Sequence, residues 1–315
     1  MMKINALGNT GIKVSRMCFG SLTIGPLQKN KTLLESREII AAALDCGVNF
    51  FDTADLYNNY DHLRAVIQMQ PDAVIATKSY DYTAAGVRSS LNRALTELGR
   101  DYVDLYLLHE QESRKTIEGH WEAIEALIAE KQAGKVRAIG ISTHRVEGVY
   151  GANLFPELDV IHPLLNLTGI GIEDGTAEEM AAAIHQAKKL GKGIYGMKPL
   201  GGGNLLSRKQ ASFEFVLSNT DLDAIAIGVQ SVSEVLYNVK KFNGDVIPED
   251  LETAVSSAPK SLHISDWCSG CGECVRRCNQ RALALIDGKA RVDEKKCVLC
   301  CYCSAACKDF CIKVI

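Results

Sequence analysis

The chain has 315 residues, of which 47% are apolar and 23% are charged, and its formal net charge is −3. This length allows one large domain of about 250 residues and a small second domain. The basic residues are scattered and aromatic residues are few, which argues against a nucleic-acid partner. No apolar run is long enough to span a membrane, and the first ten residues lack the apolar core of a secretory signal. We therefore expect a cytoplasmic protein without a membrane partner.

The first 240 residues alternate between two kinds of segment. A hairpin is predicted first, because residues 4–7 and 12–14 flank an Asn-Thr-Gly turn. Eight apolar, β-rich runs follow at residues 17–20, 49–53, 73–78, 103–109, 136–142, 160–166, 193–200 and 224–229. Segments of helical period lie between them, including residues 36–46, 84–98, 117–133, 177–190 and 233–242.

Eight strands that alternate with helices predict an α/β fold, and two arrangements are known for such a pattern. The first is a (β/α)8 TIM barrel, with the N-terminal hairpin closing its floor. The second is an open nucleotide-binding sheet, which carries a G-x-G-x-x-G loop after a strand. None of the eight runs is followed by that loop, so we favour the barrel.

Ten of the twelve cysteines lie after position 267, in two runs of C-x2-C-x2-C-x3-C. This doubled spacing is that of bacterial ferredoxins, which hold two [4Fe–4S] clusters and in which the fourth cysteine of each run ligates the other cluster. The predicted ligands of cluster one are Cys268, Cys271, Cys274 and Cys307. Those of cluster two are Cys297, Cys300, Cys303 and Cys278, which leaves Cys301 and Cys311 as spare thiols.

Two other interpretations of these cysteines are weaker. Structural zinc sites separate their C-x2-C pairs by a longer spacer, and a disulfide framework suits a small secreted domain. One departure from the ferredoxin pattern is that Asn279 and Lys308 stand where proline usually follows the fourth cysteine. The cysteine runs and a polar segment before them divide the chain into a barrel at residues 1–243, a linker at 244–261 and a ferredoxin-like domain at 262–315.

Ionisable side chains end three adjacent apolar runs. Asp52, Lys78 and His109 end the second, third and fourth runs, and Tyr57 follows the second. The active site of a TIM barrel lies at the carboxyl ends of its strands, so these four residues are the predicted catalytic set. Tyr57 would give a proton to a substrate carbonyl, with its pKa lowered by a neighbouring Lys78 ammonium. Asp52 would hold Lys78, and His109 would orient the carbonyl. The structural alternative is a rim salt bridge and a histidine packed in the core.

Several of these residues resemble the motifs of the aldo-keto reductase family. The resemblance covers residues 3–242 and rests on Phe51-Asp52-Thr53-Ala54-Asp55-Leu56-Tyr57, the isolated Lys78 and Leu107-Leu108-His109. It implies a barrel reductase in which NADPH or NADH gives a hydride to an aldehyde or ketone, or takes one from an alcohol. A subset of this family is similar also in carrying an iron–sulfur tail.

The resemblance also implies a set of cofactor-binding residues. Ser142, with its neighbour Thr143, and Asn166 would hold the nicotinamide amide, and the loop that begins at Met197 would wrap the pyrophosphate. The strand-eight region would bind the adenosine end. The full expected set is Gly20, Ser21, Ser142, Thr143, Asn166, Met197, Lys198, Pro199, Leu200, Gly201, Gly228, Ser231 and Asn238.

Departures from the family pattern leave other functions open. Met197 replaces the tyrosine that stacks on the nicotinamide in many members. The strand-eight segment at residues 228–234 has no arginine or lysine to bind the 2′-phosphate of NADPH, and Glu234 would repel that phosphate, which leaves NADH as an alternative. A hydride carries two electrons whereas a cluster passes one, so a flavin remains an alternative carrier. The alternatives to a carbonyl reductase are an electron-transfer adaptor that docks a redox partner protein, and a redox sensor.

Overall fold

A closed barrel of eight parallel strands forms the larger part of the fold. The structure is a computed structural model that describes residues 2–315, and Met1, the first residue of the predicted barrel domain, lies outside them. An antiparallel hairpin of β1 (Ile4–Ala6) and β2 (Lys13–Ser15) precedes the barrel. The barrel strands are β3 (Met17–Gly20), β4 (Phe50–Asp52), β5 (Val74–Ser79), β6 (Val103–Leu108), β7 (Val136–Thr143), β8 (Val160–Pro163), β9 (Gly193–Met197) and β10 (Ala224–Gly228). Pairing of β10 with β3 closes the barrel, which confirms the predicted TIM barrel.

Helices connect successive strands around the outside of the barrel. In chain order they are α1 (Leu33–Asp45), α2 (Tyr60–Met69), α3 (Ala84–Leu98), α4 (Arg114–Gly119), α5 (Trp121–Gln132), α6 (Val146–Asn153), α7 (Ala177–Lys189), α8 (Lys209–Ser218) and α9 (Val232–Asn243). Capping boxes start α1 at Thr32 and α7 at Thr176, and a left-handed Gly99 ends α3. The predicted helix at 117–133 is two helices, α4 and α5. Helices α2, α6 and α8 lie in strand connections for which a helix was expected without a stated range.

The N-terminal hairpin closes the barrel floor, as predicted. Leu7, Ile12 and Val14 are fully buried and pack with inward-facing residues of the barrel strands, among them Phe50 and Tyr195. A second, larger apolar layer lies between the strands and the helices. The closed floor leaves the carboxyl ends of the strands as the open face of the barrel.

The C-terminal segment folds as a small unit of short elements. After α10 (Glu249–Ser256), β11 (Leu262–Ile264) pairs antiparallel with β14 (Ile312–Val314), and β12 (Leu283–Ile286) pairs with β13 (Lys289–Val292). Each cysteine run contains one short helix, α11 (Glu273–Arg277) in the first and α12 (Tyr302–Ala305) in the second. Of the helices in residues 2–315, none has the length and apolar composition to cross a membrane.

The two cysteine runs have the same backbone conformation. Gly270 and Gly272 in the first run and Leu299 and Cys301 in the second all have positive φ angles, between 51° and 77°. Arg281 and Phe310, each three residues after a fourth cysteine, repeat this with φ of 50° and 46°. Left-handed conformations are costly for side chains other than glycine. Because the second run adopts them without glycine, the two halves are a structural repeat and not only a sequence repeat.

Candidate active site

A buried ion pair lies at the centre of the open face. Lys78 Nζ donates to the two Asp52 carboxylate oxygens at 2.8 and 3.0 Å and to the Thr53 carbonyl at 2.7 Å. The two side chains are 1% and 6% exposed. Asp52 is the register partner of Ala76 on the adjacent strand β5, so Lys78, two residues further along β5, points to the same side of the sheet. The predicted pairing of Asp52 with Lys78 therefore follows from the barrel topology. All three protons of the ammonium group are thereby used by neighbouring oxygens.

Tyr57 lies above this pair in a short turn after β4 and lines a cavity. Lys78 Nζ is 4.9 Å from the centre of its ring. Burial, Asp52 and Glu110 raise the pKa of Tyr57 well above its usual range. The expected lowering of this pKa by Lys78 is therefore wrong, because burial, together with the nearby carboxylates, raises it. Tyr57 holds its proton at neutral pH and can act as a donor.

His109 follows β6 and faces Tyr57, with ring centres 6.0 Å apart and an interplanar angle of 72°. Tyr80 stacks on its other side at 4.4 Å. Burial, Lys78, Lys198 and His162 lower the pKa of His109 well below its usual range, so the imidazole is neutral. Its Nδ1 atom is buried without a hydrogen-bond partner in the described part of the chain. Such an orphaned polar atom is typical of a site that awaits a ligand.

Two further residues that support the ion pair were not predicted. The Tyr195 hydroxyl donates to Asp52 at 3.1 Å, and His162 Nε2 lies 3.9 Å from the same carboxylate. The rings of His162 and Tyr195 stack at 3.8 Å. Both belong to runs that were assigned as buried strands, and a polar side chain at an inward position of such a run is the signal that could have identified them.

A cavity of about 500 Å³ extends from Tyr57 and Asp52 across the ends of β9, β10 and β3. Its volume is that of an ordinary small-molecule or cofactor site. Most of the expected cofactor-binding residues line it, namely Gly20, Met197, Lys198, Pro199, Leu200, Gly228, Ser231 and Asn238. The barrel therefore brings these separate segments to one site.

The other expected cofactor contacts make internal bonds instead of lining the cavity. The Asn166 amide donates to the Ile170 carbonyl at 2.9 Å, and the Ser142 hydroxyl accepts from the Glu110 amide at 2.9 Å. Thr143 accepts from the Arg145 amide at 3.0 Å, Ser21 donates to the Asp52 carbonyl at 2.8 Å, and Gly201 is buried. These side chains stabilise loops, and their role in cofactor binding stays a prediction.

Another part of the cavity wall, around Glu234, is rich in charged side chains. Glu234 accepts from the Gln230 amide at 2.8 Å and lies near Lys29, Lys31 and Lys260. Burial raises the pKa of Glu234 in spite of these lysines. Lys29, Lys31 and Lys260 come from the loop after β3 and from the linker, and they also line the cavity. The loop after β3 and the linker therefore supply the basic groups that the eighth barrel strand, β10, and the residues after it lack.

The C-terminal segment forms one wall of this cavity. Lys313, Val314 and Ile315 line it, and the Phe310 ring packs on Leu164 and Met197. A Cβ atom on Gly203 would lie 2.0 Å from the Val314 carbonyl oxygen. Asn204 fixes the contact by donating to the Ile312 carbonyl at 3.1 Å and by accepting from Ser304 at 2.5 Å. The glycine-rich loop after β9 is therefore shaped by the tail as well as by the cavity.

The tail gathers the predicted ligands of cluster one. Cys268, Cys271, Cys274 and Cys307 line one pocket, together with the spare thiol of Cys311. Backbone amides of Ala290 and Ala282 point at the sulfurs of Cys268 and Cys278 at 3.5 and 3.3 Å. All twelve cysteines are free thiols. Across residues 2–315, no group of three or more His, Cys, Asp or Glu side chains is arranged to hold a metal ion.

The fold and the site together define a class of protein. A TIM barrel that presents a tyrosine, a buried lysine–aspartate pair and a neutral histidine at the carboxyl ends of its strands has the architecture of a barrel oxidoreductase. The family model described as the Aldo/keto reductase family matches residues 16–249. The chain belongs to this family, which confirms the family resemblance; the cysteine runs lie outside the matched residues.

Individual relatives agree with this assignment. The chain is 28% identical to L-galactose dehydrogenase of Arabidopsis thaliana over 76% of its length and 87% of the relative's. It is 30% identical to 6-dehydroglucose reductase of Novosphingobium aromaticivorans over 71% and 77% of the two chains. A crystal structure of an aldo-keto reductase from Pseudomonas aeruginosa superposes with a TM-score of 0.66 at 28% identity, covering 76% of this chain and 93% of that one.

Proposed function

We propose that the protein reduces the carbonyl group of a small aldehyde or ketone with NADPH or NADH, or oxidises the corresponding alcohol. The observation that carries this proposal is that Tyr57 and Asp52 line one cavity, with Lys78 paired to Asp52 and the His109 ring facing Tyr57. Bound coenzyme would supply the hydride. Two relatives are named for redox reactions of sugars, which supports a small carbonyl or alcohol substrate.

The protonation states of Tyr57 and His109 determine the roles that these two residues would have in catalysis. Tyr57 keeps its proton at neutral pH, so its hydroxyl would donate to the carbonyl oxygen as negative charge develops there. Neutral His109 would position that oxygen through a ring nitrogen. Asp52 and Lys78 would fix the local field and the position of the tyrosine ring, since all their charged atoms are paired. A tyrosine with a raised pKa is a better acid–base partner for reduction than for alcohol oxidation at neutral pH.

The cavity also fits an extended coenzyme. Its lining carries Lys29, Lys31 and Lys209 near Gln230, Ser231 and Asn238, and such groups suit phosphate and ribose oxygens. Gly20 and Gly228 lie on adjacent strands at its edge. Met197, Pro199 and Leu200 would border the coenzyme on the β9 side, with Val314 and Ile315 of the tail opposite.

The tail is proposed to hold two [4Fe–4S] clusters, which would transfer single electrons. Four thiolates that hold a cubane each bind a different iron, so they surround a cluster-sized space and do not meet at one ion. The pocket of Cys268, Cys271, Cys274 and Cys307 agrees with the crossed ligand pattern. Amide-to-sulfur contacts, as at Cys268 and Cys278, are the kind that tune cluster potentials.

A kinetic experiment tests the reductase proposal. Anaerobic holoprotein is mixed with NADPH or NADH and a panel of aldehydes and ketones, and absorbance near 340 nm is followed. Tyr57→Phe should remove turnover while coenzyme binding is unchanged. Tyr82→Phe is the matched control, because the Tyr82 side chain is exposed. Equal rates for wild type and Tyr57→Phe would refute the proposed proton donor.

An electron-transfer adaptor or redox sensor is a second candidate. It is favoured by the internal hydrogen bonds of Ser142 and Asn166 and by the Phe310 ring, which packs on Met197. In that case the barrel would dock a redox partner protein and bind coenzyme weakly. Equilibrium titration of the holoprotein with each coenzyme separates the two candidates, since micromolar binding together with carbonyl turnover would exclude the adaptor.

A further inference from the structure

Two lysine ammonium groups lie against the same aromatic ring in the wall of the cavity. Lys198 Nζ is 4.9 Å and Lys313 Nζ is 3.1 Å from the centre of the Phe310 ring. The two nitrogens are therefore separated by at most the sum of these distances. Lys198 directly follows β9 of the barrel and Lys313 belongs to β14 of the tail, and both line the cavity that contains Tyr57.

Neither lysine has a carboxylate partner among residues 2–315. Lys198 Nζ lies 2.7 Å from His144 Nε2, and Lys313 donates to the Phe310 carbonyl. Glu110 and Glu173 approach His144 instead, at 3.7 and 3.9 Å. Lys313 is only 5% exposed. Burial and the nearby Lys198 lower the pKa of Lys313 well below its usual range. Buried ammonium groups are costly unless they are paired, so an anion bound at both lysines would stabilise their protonated forms and complete the site.

The backbone of Lys198 supports the same conclusion. Its φ angle is 58°, a left-handed conformation that a side chain other than glycine rarely adopts. This conformation brings the lysine into a cluster of polar side chains with His144, and strained residues of this kind concentrate at binding sites. The charge of Lys198 also lowers the pKa of the His109 imidazole, and Lys198 lines the cavity that contains Tyr57.

We propose that Lys198 and Lys313 together bind the anionic group, a carboxylate or phosphate, of the carbonyl substrate. The substrate class would then be small oxo acids or phosphorylated aldehydes and ketones. This inference rests on the proposed carbonyl reduction and specifies its substrate. It also gives the tail a direct part in substrate binding, because one of the two lysines comes from β14.

A phosphate of the coenzyme is the other source of the same chemistry, since the Lys313 stem packs on Gly202 in the loop after β9. The experiment therefore uses matched carbonyl pairs with the holoprotein: 4-oxobutanoate against butanal, and glyceraldehyde 3-phosphate against glyceraldehyde. The variants are Lys198→Gln, Lys313→Gln and the charge-retaining Lys313→Arg. Lys115→Gln, at an exposed position on α4, is the control. The binding constant of each coenzyme is measured separately by calorimetry.

The expected result is a preference of wild type for at least one anionic substrate in kcat/KM. Each Lys→Gln change should lower the ratio of kcat/KM for the anionic substrate to that for its neutral partner by about 10- to 100-fold, the effect of losing a hydrogen bond to a charged group. Lys313→Arg should retain most of the preference. Equal kcat/KM for both members of each pair in wild type would overturn the inference, as would a loss confined to coenzyme affinity.

A calorimetric titration with succinate and with inorganic phosphate gives a readout that needs no turnover. If no carbonyl is reduced but one of these anions binds to wild type and not to either Lys→Gln variant, the reductase proposal fails and the anion site stands. If neither anion binds to wild type at millimolar concentration, the anion site fails whatever the turnover. A near-ultraviolet circular dichroism spectrum like that of wild type shows that each variant is folded.

Discussion

Lys78 and Asp52 form a closed pair, in which both carboxylate oxygens accept from the ammonium group at 2.8 and 3.0 Å in a buried setting. The pair is anchored further by the Tyr195 hydroxyl and the Thr53 carbonyl. Its main consequence is electrostatic. Burial and Asp52 keep the pKa of the Tyr57 phenol raised, although Lys78 lies close to the ring. The pair also affects the stability of the folded protein, because both of its charges are buried.

Asp52→Asn should destabilise the protein strongly, because it leaves the Lys78 ammonium buried without its counter-charge. Breaking a buried pair from one side costs about 3–5 kcal/mol. The double variant Asp52→Asn/Lys78→Met removes both charges and should recover a large part of this loss. Both variants should lose carbonyl reduction. Thermal unfolding of the holoprotein measures the effect, and a double variant no more stable than the single one would contradict this account.

The sequence predicted the barrel because its signals are local and repeated. Each strand such as Val103–Leu108 is a short apolar run, and its charged or polar end marks the open face. The proposed catalytic residues Asp52, Lys78 and His109 could be identified for the same reason. No ranges were given for helices α2, α6 and α8, which have only 8 to 10 residues and so offer at most about three turns in which a helical period can be recognised.

The rest of the site depends on contacts that no local pattern reports. Tyr195 and His162 look like ordinary core residues until the barrel closes and brings both to Asp52. Phe310 and Lys313 lie more than 100 positions beyond the β9 loop they contact. Glycines 201–203 matched a cofactor motif, yet Gly202 and Gly203 also meet Lys313 and Val314 of the tail. Long-range packing of this type is not encoded by spacing alone.

The reduction of an anionic substrate should fall as pH rises through about 8. Burial lowers the pKa of Lys198 to about 8, and only the protonated lysine attracts the anion, so binding is lost above that pH. The charged and titratable groups around it are Lys78, Lys313, Glu110, Glu173, His109 and His144. Tyr57 and His109 keep their protonation states between about pH 6.5 and 10, given the directions of their pKa shifts.

The measurement is a pH profile of kcat/KM for 4-oxobutanoate and butanal. The profile for butanal should be flat in this window and that for the acid should decline on the alkaline side. Lys198→Gln should abolish the alkaline decline and leave a uniformly low value. Parallel profiles for the acid and the neutral aldehyde would show that Lys198 does not act on the substrate.

Glu234→Gln should raise the preference for NADPH over NADH by about 10-fold, whichever coenzyme the wild type prefers. Glu234 lies among Lys29, Lys31 and Lys260, and removal of its negative charge leaves these cations free to attract an additional phosphate. The ratio of kcat/KM for the two coenzymes measures the effect. Glu178→Gln, a change of the same kind in the first turn of α7, is the control and should leave the ratio unchanged; an equal response of both variants would place the adenosine end elsewhere.

Cys300→Ala should remove one cluster, whereas Cys301→Ala, one residue away, should not. Cys300 is a predicted ligand of cluster two, and Cys301 sits at a left-handed position that matches Gly272 of the first run, where no ligand is needed. Two clusters correspond to about eight iron atoms per chain. Iron and sulfide analysis of anaerobically purified protein, with electron paramagnetic resonance of the reduced state, should show this content in wild type and Cys301→Ala and about half of it in Cys300→Ala. Equal iron contents in the two variants would refute the ligand assignment, and zinc in place of iron would refute the clusters themselves.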